Sequence, residues 1–501
     1  MNRSDIYYRA ALALIAFVYV LLRFQGLTDS CLWFDEIFGV HAAEHSFGEM
    51  LWFVAQDLIH PPLFYVLLKG WIATGGESLF WLRSFSVFFS LAALAPFLLL
   101  CKELKLSYPA RITALVFLAT NGSLIKYAQE ARMYGLLFFL SLVSTWLFAR
   151  FFFRGKNVWI LTLVNILLVY THYFGWLVVA SEIAAILIFQ RMKIRNVLIM
   201  GVVAAACYVP WFWAIAHAVA DGSNVTQNIG WIERPGAAAF LDLIFDLVEP
   251  FYVQASNLDP STIFIVSIPI ILVVAVAKLD YLANWKKKEE KLTLLLLSVF
   301  AVLPIVSAFV LSWVLPVSIW GSRHLIIVFA PMAIVIGILI DEISKPVLKA
   351  ILIGALVFFF LIAFTLKMIR APQEQIWCAW EQQARSISPD ELQTVYVFED
   401  LTAYHFWFAT RDEPNIRIVK VNDVPEMSED KAYFLPRGFD GVRSIAPNEI
   451  SGDRFLVAFR DMKFDERHPP LNFLIEKGYK ISDPAVIDAG GLKAILVSAS
   501  K

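Results

Sequence analysis

The run Ala10-Ala-Leu-Ala-Leu-Ile-Ala-Phe-Val-Tyr-Val-Leu-Leu22, followed a short way on by Cys31-Leu-Trp-Phe-Asp35-Glu36-Ile-Phe-Gly39, sets an apolar segment beside two adjacent carboxylates. The first part is of the kind that enters a bilayer. A carboxylate at the edge of lipid is costly unless it faces a polar cavity, so Asp35 and Glu36 are functional candidates on position alone. The plainer reading is a solvated pair, or a helix N-terminus with Asp35 as its cap. The dipeptide by itself does not separate the two.

The remaining sequence supplies the context. Of 501 residues, 59% are hydrophobic and only 17% charged, with a mean hydropathy of +0.66, far from the balance of a soluble domain. A polytopic membrane protein follows. The net charge of -1 gives no reason to expect a nucleic-acid partner. Cys31, Cys101, Cys207 and Cys378 have neither metal-ligand spacing nor the pattern of a disulfide framework, and are expected to sit as small apolar residues.

About eleven apolar runs can be placed: Ala10 to Leu22, Leu79 to Leu100, Ile112 to Ile125, Met133 to Phe153, Val158 to Tyr170, Phe174 to Phe189, Val197 to Ala216, Ile263 to Ala277, Leu292 to Val314, Leu325 to Ile340 and Val347 to Ile369. The first follows Arg3 and Arg9 but precedes no small-residue cleavage pattern, so it reads as a retained helix. Lys and Arg gather in alternate connections, as at Lys102, Lys105 and Arg111, at Arg191, Lys193 and Arg195, and at Lys286, Lys287, Lys288 and Lys291. By the positive-inside rule those connections are cytoplasmic, as is the N-terminus. An odd number of spans then leaves Asp35 and the C-terminal segment outside.

The first outer connection is too long for a turn. Ile37 to Gln56 mixes Phe38, Val40, Phe47 and Leu51 with Glu44 and Glu49, which suits an interfacial helix. His60-Pro61-Pro62 then breaks the chain, and Leu63 to Ile72 restarts as a second one. In the next outer connection, Lys126, Glu130 and Tyr134 share one face if the segment is helical. The third is a polar tip, Thr171-His172-Tyr173-Phe174, and a later one carries Trp320-Gly321-Ser322-Arg323-His324 ahead of an apolar helix. A guanidinium there can be an interface anchor or a planar fork for phosphate.

This series, an acidic pair after the first span, then His-Pro-Pro-Leu-Phe-Tyr, Tyr-Ala-Gln-Glu-Ala-Arg-Met-Tyr, Thr-His-Tyr-Phe-Gly and a late Ser-Arg-His, resembles the GT-C membrane glycosyltransferases. The nearest groups are the protein O-mannosyltransferases and the aminoarabinose transferases that modify lipid A. The resemblance implies transfer of a sugar, a hexose such as mannose or a pentose, from a polyprenyl-phosphate donor to an extracytoplasmic acceptor, with inversion. It implies Asp35, with Glu36 and Glu130, at the catalytic centre. Arg323, Arg132, Lys126 and His324 are then candidates for the donor phosphate, and His60, Tyr134, His172 and Tyr173 for the substrate. A divalent ion held by Asp35, Glu130, His60 and His172 is the metal reading that goes with it. One departure matters: the aminoarabinose transferases carry Glu-Lys before Pro-Pro, whereas this chain has Ile59-His60, which argues against that particular sugar.

The expected architecture is mainly α: a GT-C-like transmembrane bundle over 1–370, with interfacial helices in the first outer loop, and a small extracytoplasmic α/β domain over 371–501. Strands are predicted at Thr394 to Phe398, Ile416 to Val421, Arg454 to Phe459 and Leu492 to Val497, and helices at Leu401 to Ala409 and Pro470 to Tyr479. The expected setting is a bacterial inner membrane. The rival is a transporter or flippase of a lipid-linked saccharide, which calls for ionisable residues within spans and for repeated halves. The topology predicts that a cysteine at position 287 is shielded from an impermeant thiol reagent in sealed cells, while one at position 35 or in the C-terminal segment reacts; the reverse pattern would overturn it.

Overall fold

The protein, as a computed structural model, describes residues 3–252, 261–285, 291–369, 374–424, 432–465 and 467–501. Lys286, Lys287 and Lys288, on which part of the topology rests, lie outside the described residues, as does the expected domain boundary at 370/371. Of the described residues 67% are helical, and the chain divides into two compact units. One comprises Met1–Leu27, Leu58–Ser223 and Ile232–Ala371; the other comprises Thr28–Asp57, Asn224–Trp231 and Pro372–Lys501.

In the first unit, eight helices among the described residues are long and apolar enough to cross a membrane, by length and composition. Four shorter apolar helices accompany them, Leu63–Gly75, Tyr108–Thr120, Val158–Thr171 and Gly175–Phe189. Every predicted run falls on one of these twelve, and the twelfth is Leu63–Gly75, expected at the interface. At the junction of Tyr108–Thr120 and Gly122–Ala128 the helix ends are closed by side chains. The fully buried Arg23 donates from Nη1 to the Ala119 carbonyl at 2.6 Å and from Nη2 to the Leu118 carbonyl at 2.8 Å. A cation thus meets the carbonyl end of Tyr108–Thr120, where the helix dipole is negative. Asn121 then caps the next helix, Gly122–Ala128, by accepting the Leu124 N–H at 2.9 Å.

The second unit is built on a six-stranded sheet: β1 (Gln393–Val397), β2 (Ile416–Val421), β3 (Arg443–Ile445), β4 (Arg454–Asp461), β5 (Lys480–Ala489) and β6 (Leu492–Ser500). Its order is β3-β2-β1-β4-β6-β5, with the first four parallel and β6 and β5 antiparallel. Gly490 and Gly491, both at positive φ, make the two-residue hairpin joining β5 to β6. Tyr396, Phe455, Val457, Phe459, Leu471 and Ile495 form one core. Val395 and Val397, on the opposite face of β1, are buried as well, as a parallel sheet requires. The α/β reading of this segment holds; the short β3, the strand β5 and the helix Ile376–Ser386 are additional.

Two expectations are corrected here. The stretch Ile37 to Gln56 is not one helix but two, Phe34–Glu44 and Phe47–Asp57. The break has a local cause. Ser46-Phe-Gly-Glu49 is a capping box in which the Glu49 carboxylate accepts the Ser46 N–H at 3.2 Å, and that bond, with one from the Ser46 side chain, holds Glu49 below the usual carboxylate range. Nor are all four cysteines simple apolar residues: Cys31 and Cys378 form a disulfide, with Cα atoms 5.2 Å apart. Cys101 and Cys207 are free. Alkylation of denatured, unreduced protein should therefore block two thiols, and four after reduction. Replacing Cys31 or Cys378 by Ser should cost the second unit about 2–5 kcal/mol, read by chemical unfolding; four reactive thiols without reductant would rule the bridge out.

Candidate active site

Five segments of the first unit build a polar cluster. Pro61 and Pro62 halt the chain so that a helix starts at Leu63, and His60 sits buried just before it. The segment 129–132 is tied down by Gln129, whose Nε2 lies within 3.2 Å of the Leu22 and Arg23 carbonyls and 2.7 Å of that of Gln25. Ser86 donates to the Arg132 carbonyl at 2.9 Å, which fixes Arg132 at the foot of the helix Tyr134–Arg154. His172 occupies the three-residue gap between the helices Val158–Thr171 and Gly175–Phe189. Arg323 and His324 start the 3-10 turn His324–Val328. The fifth segment ends at Tyr252. Backbone bonds from Gly122 to the Glu249 carbonyl and from Phe251 to the Thr120 carbonyl dock it. A Cβ on Gly122 would lie 2.4 Å from the Tyr252 nitrogen, so only glycine admits this approach.

The expected helical face at Lys126, Glu130 and Tyr134 is replaced by a break. The helix ends at Ala128, and the Arg132 N–H turns back to the Glu130 carbonyl at 2.7 Å because Gln129 is spent on the first helix. The three side chains nevertheless share one electrostatic neighbourhood. Lys126 Nζ lies 5.3 Å from the Tyr127 ring centre and 5.0 Å from that of Tyr252. Burial pushes this ammonium down, but Tyr252, Glu130 and Tyr127 more than offset it and raise it overall. Tyr127 is raised by burial and feels Lys126, Glu130, Tyr134 and Arg323.

The imidazoles form a chain. Ring centres of His60 and His172 are 5.5 Å apart, and those of His172 and His324 5.2 Å. Tyr134 stands 6.3 Å from His172 and 5.0 Å from Tyr127. Burial drives His60 and His172 well below the ordinary histidine range, and Arg132 and Arg323 add to it in both. Both rings are neutral at pH 7. His172 Nδ1 accepts the Phe174 N–H at 3.1 Å, which leaves the proton on Nε2. His324 Nδ1 meets the Ile319 carbonyl at 3.3 Å and so carries its proton there. Tyr173 takes another direction, its hydroxyl donating to the Leu58 carbonyl at 3.1 Å.

Such a set, two guanidiniums and an ammonium with one carboxylate and neutral imidazoles, is made for an anion. It does not fit the metal reading. Among the described residues no group of three or more His, Cys, Asp or Glu is placed to hold a metal ion, and Arg132 and Arg323 beside His60 and His172 repel a dication.

Asp35 and Glu36 belong to the second unit, in the first turn of Phe34–Glu44. Glu36 is fully buried and accepts the Trp33 N–H at 3.3 Å, a capping role. Asp35 is half-buried. Sequence reasoning missed Tyr252, which carries no local signal, and Glu182, which does: an acidic residue inside an apolar run.

The fold is shared with solved structures of one of the groups that the sequence motifs resemble. In particular, the chain is similar to ArnT from Cupriavidus metallidurans bound to undecaprenyl phosphate, with a TM-score of 0.57 and 11% identity over 97% of each chain. Apo ArnT from the same organism gives 0.57 and 10%, covering 99% of this chain and 98% of that one. The apo Archaeoglobus fulgidus oligosaccharyltransferase gives 0.50 and 13%, covering 82% of this chain and 64% of the other. No protein-family model and no curated protein matches.

The depressed histidines set a pH dependence. Their folded pKa lies below the unfolded value of about 6.5, so their contribution is complete above that value and is lost as pH falls toward the folded pKa. In the second unit His41, lowered to about 4 by burial and then by His45 and Arg411, and His405, lowered to about 4 by burial, act in the same direction. The unfolding midpoint in detergent should drop on acidification through this window, and His60→Gln should flatten the slope. A midpoint independent of pH there would contradict the neutral, buried state.

Proposed function

We propose that the protein is a membrane glycosyltransferase that moves one sugar from a polyprenyl-phosphate donor to an extracytoplasmic acceptor, a protein, lipid or glycan, with inversion. The observation that carries this reading is the cationic cluster of the buried Arg132 and the half-buried Arg323 and Lys126 with the buried His60, His172 and His324, in a fold shared with a protein solved on undecaprenyl phosphate. Arg323 and Arg132 bind the donor phosphate, and the N–H on His172 Nε2 is a further donor toward it. A carboxylate, Asp35, takes the proton of the acceptor hydroxyl. The acceptor oxygen attacks the anomeric carbon from the side opposite the phosphate. As that bond forms, the bond from the anomeric carbon to the phosphate oxygen breaks, and its electron pair stays on the phosphate, where the guanidiniums stabilise it. Glu36 accepts the Trp33 N–H in a backbone cap. Glu130 stands by Lys126 and limits the positive charge of the cluster.

The side of the membrane is part of the proposal. A disulfide persists in an oxidising compartment, so the bridge from Cys31 to Cys378 supports an extracytoplasmic second unit, and the basic connections support a cytoplasmic N-terminus. A bacterial inner membrane meets both conditions.

Purified protein in detergent, offered a panel of polyprenyl-phosphate sugars and acceptors, should transfer a sugar. Asp35→Asn should lower turnover about 100-fold or more with the fold intact. Arg323→Ala should raise the KM for donor and lower kcat, and Arg323→Lys should restore part, lacking the planar fork. Lipid translocation in vesicles with no transfer to any acceptor would replace this reading by a flippase, and wild-type kinetics in Arg323→Ala would remove that residue from the phosphate site.

A further inference from the structure

Three helices of the first unit, Tyr134–Arg154, Val158–Thr171 and Gly175–Phe189, meet at a closed polar triangle within the apolar bundle. Ser144 Oγ lies 2.7 Å from Asn165 Oδ1 and 2.7 Å from Glu182 Oε1, and Asn165 Nδ2 lies 2.6 Å from Glu182 Oε2. All three side chains are buried, Asn165 and Glu182 completely. Both partners of the Glu182 carboxyl in this triangle are neutral side chains.

Counting hydrogens decides the protonation. Three contacts need three donated hydrogens. The serine hydroxyl supplies one. The asparagine amide supplies one, because its nitrogen faces a single member of the triangle and its oxygen faces the other. Rotating the amide by half a turn does not help: the nitrogen then donates to Ser144, and two oxygens, from Asn165 and Glu182, meet at 2.6 Å. In either orientation the third hydrogen comes from Glu182. The second amide hydrogen is already directed at Met200 Sδ, 3.5 Å away on the helix Ile194–Ala220.

We infer that Glu182 is a neutral carboxylic acid that closes a three-membered hydrogen-bond ring and, by pinning these three helices, acts as a positioning residue for Tyr134 and His172 at their ends. A carboxylate would leave Ser144 one hydrogen short and place an unpaired charge in the bundle. The acid satisfies every contact. The connection is short: Val158–Thr171 and Gly175–Phe189 carry Asn165 and Glu182, and the three-residue gap between them holds His172; Tyr134 opens the helix that carries Ser144. The positioning part rests on the proposed glycosyl transfer, whereas the protonation does not.

The test uses full-length protein in detergent or nanodiscs. At neutral pH, an infrared difference spectrum of wild type against Glu182→Gln should show the carbonyl band of a protonated acid, shifted by deuterium exchange. Glutamine can donate to Ser144 and accept from Asn165, so Glu182→Gln should keep the wild-type unfolding midpoint and donor KM. Glu182→Ala should lower the midpoint and raise donor KM several-fold while Asp35-dependent turnover persists. A carboxylate signature at Glu182, or Glu182→Gln behaving like Glu182→Ala, would overturn the neutral ring. An unchanged donor KM in folded Glu182→Ala would overturn the positioning role. If wild type transfers no sugar to any acceptor, the infrared and midpoint measurements still decide the protonation.

Discussion

The guanidinium of Arg23 fixes the junction from which the proposed donor site grows. Bonded to the Leu118 and Ala119 carbonyls and lying 3.5 Å from the centre of the Tyr19 ring, it joins the ends of two apolar helices. From that junction the chain turns through Asn121 into the short helix Gly122–Ala128, and Gln129 returns to the carbonyls beside Arg23. Lys126, Glu130 and Arg132 are thereby set by a hydrogen-bonded frame rather than by a helical face. A buried arginine is expensive when its donors are unmet; here Nη1 and Nη2 are satisfied, while Nε has no hydrogen-bond partner among the described residues. Two backbone carbonyls at a helix end are among the few acceptors a membrane bundle can spare.

Charge within the polar cluster of the first unit is moderated by its neighbours. Lys126 has Glu130 and two tyrosines, while His60, His172 and His324 sit uncharged between Arg132 and Arg323. Neutral imidazoles beside guanidiniums cost little while no anion is bound. They also leave hydrogen-bond donors already oriented, as the Phe174 bond to His172 Nδ1 illustrates. A cluster of five cations would repel itself; a cluster of two guanidiniums with neutral donors can be buried and still favour a phosphate.

Much of this was legible before any coordinates. Hydropathy alone located the apolar helices, because a lipid-facing run has to be continuous, and alternation located four of the six strands. The order of the motifs pointed to the GT-C fold. What escaped reading was set by tertiary partners. Gln129 ends a helix only because the carbonyls of Leu22, Arg23 and Gln25 are near, and no local signal announces them. The same is true of Cys31 and Cys378, separated by 347 positions. The capping box at Ser46 and Glu49 was different: its signature stood in the sequence, and the apolar periodicity of Ile37 to Gln56 outweighed it.

Glu182 bears on the choice between enzyme and transporter, since an acidic residue inside a span is the mark of an ion or substrate pathway. The decisive matter is how its hydrogen bonds are used. A pathway carboxyl exchanges partners as it loads and unloads, and so keeps capacity for the cargo. Here both oxygens of Glu182 are engaged by Ser144 and Asn165, and the remaining amide hydrogen of Asn165 is directed at Met200. A closed ring of this kind holds helices together, as polar side chains do between membrane helices. The polar groups with the chemistry to take a charged ligand are those around Arg132 and Arg323, in the connections between helices. That division, glue within the spans and anion chemistry at their ends, is the arrangement that the proposed transfer from a lipid phosphate calls for.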